Sequence, residues 1–115
     1  MASNVPIACS LSAAELRVRG QEVAALFRRA TQVRELADGF ALAFPPESEQ
    51  AHALLDFALF ERACCPFFSF DIRFPSPHDA VWLEVRGETA EVKEMIRATV
   101  TASAVNAMFA LDAER

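Results

Sequence analysis

The chain has a single lysine, Lys93, and no tyrosine, and glycine occurs only three times in 115 residues. One lysine among eleven basic residues, with a net charge of −5, leaves no cationic cluster of the kind that phosphate backbones or anionic lipid surfaces require. Arg28 and Arg29, with Arg34 further on, are the nearest thing to a basic run. Glu22 and Glu35 flank them, so they read as a solvated helix face. No apolar run reaches the roughly 20 residues that span a bilayer. The start, MASNVPIACSLS, lacks the basic and apolar regions of a secretory signal. A cytoplasmic location follows as an expectation, with no nucleic-acid and no membrane partner. The three cysteines then read as reduced thiols rather than a disulfide framework. Scarce glycine and six prolines exclude a low-complexity linker, and 53% apolar residues suffice for a core. One domain over 1–115 is expected, with 103–115 as a helical extension or a frayed tail.

Periodicity orders the elements. Ser12 and Glu15 form a capping-box pattern ahead of Leu16, Val23, Leu26, Phe27 and Ala30, which recur at helical spacing. A first helix over about 12–30 is predicted, weakened at Gly20 or approached closely there by another element. Asp38-Gly39 is a turn signal between strands predicted at 32–36 and 39–44. A second helix follows Pro45-Pro46 and ends before Pro66. FFSFDIRF and AVWLEVRG read as two more strands. ETAEVKEMIRATV reads as a third helix with Val92, Met95, Ile96 and Thr99 on one face. The fold class expected is α+β, a two-layer sandwich in the order α-ββ-α-ββ-α. Its mainly antiparallel sheet has three to four strands with helices on one face. An open sheet with an edge or a face to cover suggests a homodimer, with Trp82 as a candidate anchor.

The chemistry concentrates in FERACCPFFSF, residues 60–70. At about 100° per residue, Leu54, Phe57, Ala58, Cys64 and Cys65 share an arc of the second helix with Glu61 near its middle. His52, Asp56 and Glu49 fall on the opposite side, facing water. A carboxylate turned inward is costly unless it is paired, protonated or bound to a metal. Glu61 is therefore either an ion-pair partner, of Arg17 or Arg19, or a neighbour of the thiols acting as ligand or proton acceptor.

Cysteine packs readily as a small hydrophobe, which suffices for Cys9 alone. Adjacent Cys64 and Cys65 diverge on a helix and cannot fill one hole, which favours a thiol function. Their spacing is not C-x-x-C, so neither a thioredoxin-type motif nor a zinc ribbon is present. Soft thiolates select zinc, copper(I), mercury or arsenic-type ions. Antiparallel packing of the first two helices would gather Cys9, Cys64 and Cys65, with Glu61 as an extra oxygen. The expected cofactor is thus zinc or another thiophilic metal ion, bound without turnover. Two alternatives remain open: a thiol-dependent oxidoreductase or transferase, and a dimeric module with structural cysteines and a pocket for a small apolar ligand. A helix C-terminus raises rather than lowers a thiol pKa, which weighs against the redox alternative.

CSLSAAELRVR, ELADGFALAFP, ERACCPFFSFDIRF and VWLEVRGETAEVKE together resemble a family of small bacterial proteins with a C-x-L-S-x-x-E-L … E-R-x-C-C-P-F-F pattern. The matching positions that the resemblance marks as functional candidates are Cys9, Glu61, Arg62, Cys64, Cys65 and Pro66.

Overall fold

A computed structural model describes residues 12–102. The elements run α1 (Ala13–Phe27), β1 (Gln32–Leu36), β2 (Gly39–Phe44), α2 (Ser48–Cys64), β3 (Phe68–Arg73), β4 (Val81–Gly87) and α3 (Ala90–Ala102). The four strands form one antiparallel sheet in the order β1-β2-β4-β3. This is the α-ββ-α-ββ-α fold, with four strands rather than three. Cys9 and residues 103–115 lie outside the described residues.

The capping box forms: the Glu15 backbone donates to Ser12 Oγ, and the Ser12 backbone donates to Glu15 Oε1. α1 stops at Phe27 instead of running to 30. Arg29 and Ala30 make tighter backbone bonds to Leu26 and Phe27, and the Thr31 N–H reaches the Ala43 carbonyl at 2.7 Å. Sheet pairing captures the chain before another helical turn can close. Arg28 and Arg29 are exposed past that end, whereas Arg34 lies on β1 with its guanidinium 4.8 Å from the Trp82 ring centre.

The β1–β2 hairpin turns through Ala37-Asp38, because Leu36 already pairs with Gly39. Gly39 is required by proximity: a Cβ there would strike the Val85 carbonyl of the neighbouring strand. β2 is buried along its whole length, and cross-strand rows place Phe40 opposite Val85 and Leu42 opposite Leu83. These side chains meet Phe27, Leu54, Phe57 and Ile96 from the helices. Each such buried side chain contributes about 1.5–3 kcal/mol relative to exposure. On α3 the inward face is Val92, Ile96 and Val100, while Met95 is 47% exposed and Thr99 is also exposed. The expected face was off by part of a turn, because Lys93 and Arg97 reach over Phe40 to Glu35 and set the helix rotation. Gly87 lets α3 approach, since a Cβ there would collide with Val92.

Candidate functional site

The site begins at the end of α2. A residue preceding proline is disfavoured in the helical conformation, and Cys65 precedes Pro66. Cys65 accordingly leaves the helix at φ −130°, ψ 79°, while its N–H still reaches the Glu61 carbonyl at 2.6 Å. Cys64, the last helical residue, is buried against the core at 8% exposure and is disulfide-bonded, so the expectation of three reduced thiols does not hold for it. Cys65 carries a half-buried free thiol. The proline thus gives two adjacent cysteines different environments.

Glu61, one turn earlier, faces the same side as Cys65. Its Oε1 accepts from the Cys65 thiol at 4.0 Å, a long contact acceptable for sulfur, and its Oε2 accepts from Arg19 Nε at 3.0 Å. Of the two arginines that sequence allowed, α1 presents Arg19. That position continues the stripe of Leu16 and Val23, so the signal was present in the spacing. Both side chains are largely buried, at 21% for Arg19 and 15% for Glu61. Burial raises the pKa of Cys65 above the ordinary thiol value, and the Glu61 charge pushes it further in the same direction. At neutral pH Cys65 is a protonated thiol beside a carboxylate.

What sequence reasoning missed is the aromatic bed of this pair. The Arg19 guanidinium lies 4.1 Å from the Phe60 ring centre and 5.9 Å from that of Phe57. Among the described residues its buried Nη2 has no hydrogen-bond partner, and the ring faces supply its attraction instead. Next to the pair is a cavity of about 500 Å³ between the three helices and the sheet. Leu16, Val23, Phe57, Phe70 and Ile96 line it, and Arg19 and Glu61 form its polar wall. Gly20 also lines it, and among the described residues no atom beyond its chain neighbours and its own stretch of helix backbone stands within 4 Å of where a Cβ would be. The expected close approach at Gly20 is therefore absent, and open space takes its place.

His52, Glu49 and Asp56 are exposed as expected, and Arg62 is exposed too. Among the described residues no three His, Cys, Asp or Glu side chains gather closely enough to hold a metal. No described helix is long and apolar enough to cross a membrane.

No family model matches the chain, and no curated protein or solved structure matches it.

Proposed function

We propose that the protein binds a thiophilic metal ion at the end of α2, without turnover. Cys65 is the first sulfur and Glu61 the proton acceptor or oxygen ligand, while Cys64, disulfide-bonded in this structure, and Cys9 join as further sulfurs only once the chain is reduced. The observation that carries this reading is the contact of the Cys65 thiol with a carboxylate anchored on Arg19. A soft cation displaces the thiol proton, and Glu61 stands where that proton must go. Arg19 holds the carboxylate in place beside the thiol. Zinc or mercury(II) suits such sulfur donors, and magnesium or calcium does not. The raised pKa of Cys65 weighs against a resting thiolate nucleophile, and hence against the oxidoreductase reading.

Native mass spectrometry of the fully reduced chain titrated with zinc tests this. One tight equivalent is expected, lost in a Cys64→Ser/Cys65→Ser variant and weakened in Glu61→Gln. Folded wild-type protein that takes no defined equivalent of zinc or mercury(II) overturns it.

A further inference from the structure

We propose that the metal site is redox-gated: a disulfide between Cys64 and Cys9 closes it, and reduction by a small-molecule thiol opens it. The inference rests on the metal reading above and adds the regulation of that site. The chain has three cysteines, of which Cys65 is free and Cys64 is disulfide-bonded, so Cys9 is the partner the chain itself offers. Structural zinc sites take four donors. In the disulfide state the end of α2 offers one thiol, that of Cys65, with the Glu61 carboxylate at 4.0 Å. Among the described residues no three donors gather in this state. Metals bind the thiolate, and a sulfur held in a disulfide has none to give. Reduction adds two sulfurs at once and brings the set to three sulfurs and one carboxylate.

The fold does not need this disulfide as a staple. Among the described residues the hydrophobic cluster is built around Phe40, Leu42, Phe44, Leu54 and Leu83 and holds no cysteine. A chain of 115 residues buries enough surface to fold without a cross-link. The disulfide ends instead on the residue next to the free thiol, where its state decides how many sulfurs a metal meets. Cys64 is buried, which shields its sulfur, so an incoming thiol attacks the sulfur of Cys9. A mixed disulfide forms there, the bond to Cys64 breaks, and its electron pair leaves on Cys64. A second thiol attacks the mixed disulfide, releasing Cys9 and one small-molecule disulfide. Two external thiols are oxidised, one protein disulfide is reduced, and their two protons pass to Cys64 and Cys9.

The test uses the full chain in two forms, one oxidised with glutathione disulfide and one reduced with a phosphine, which is not itself a thiol. Peptide mapping without reductant should join Cys64 to Cys9 in the oxidised form and leave Cys65 open to alkylation. Zinc, titrated against a chromophoric chelator, should bind the reduced form about a hundredfold more tightly than the oxidised one. Circular dichroism should show the same fold in both forms. In a glutathione buffer of fixed ratio, added zinc should raise the reduced fraction, because a ligand that binds one state draws the equilibrium towards it. Equal zinc affinity in the two forms, a Cys64–Cys65 link in the map, or unfolding on reduction overturns the gate. Equal affinity at a defined single equivalent leaves the metal reading standing. A folded, reduced chain that takes no zinc overturns the two together.

Discussion

Two carboxylates, Glu35 and Glu61, each bridge elements far apart in sequence, yet they are equipped for different work. Glu35 on β1 takes both Lys93, at 2.8 Å, and Arg97, at 2.9 Å, from α3 through the same oxygen. Hydrogen bonds from Lys93 and then Arg97 hold its pKa below the ordinary carboxylate value. Surrounded by cations, it has little reason to accept a proton and acts as a clasp between sheet and helix. Glu61 meets one cation, through one oxygen, and turns the other oxygen to a thiol. The lesson is one of stoichiometry. A carboxylate saturated with cations fastens, whereas one left half engaged beside a proton donor can do chemistry.

The comparison breaks most severely at Phe40, the ring beneath Lys93 and Arg97. Phe40→Ala should cost about 3–5 kcal/mol in denaturant unfolding, since the ring is fully buried at the centre of the sheet. A loss below about 1 kcal/mol would mean that the clasp does not depend on its floor. At the other carboxylate the sharper readout is reactivity. Alkylation of Cys65 should accelerate only above the ordinary thiol pKa, and Glu61→Gln should move that midpoint downward by removing a negative charge. An unchanged pH profile would separate Glu61 from the thiol.

The smallest effect belongs to Glu35→Gln, about 0.5–1 kcal/mol at neutral pH because the pair is partly solvated. The folded pKa of Glu35 is depressed, so its contribution is complete above the unfolded value and disappears as pH falls through the folded one. Stability of the wild type should therefore converge on that of Glu35→Gln in acid. A gap that persists or widens there would contradict the assigned pairing.

Much of this was legible in the chain. Strict alternation in VWLEVRG, the turn at Asp38, and the prolines flanking α2 are local signals, and local backbone preference was enough to order seven elements. The inward aim of Glu61 was legible too, because helical phase depends only on spacing. The overrun of α1 and the rotation of α3 were not, since sheet capture of Thr31 and the reach of Lys93 and Arg97 to Glu35 are contacts between distant residues.

By itself the sequence determined which side of α2 carries Glu61 and that the helix would end before Pro66. Only the tertiary structure decided that Arg19 rather than Arg17 neutralises Glu61, that Phe60 lies against that cation, and that Gly20 opens onto a cavity. Helical phase follows from short-range geometry. A cavity is what remains after three helices and a sheet have packed, and no single segment encodes its volume.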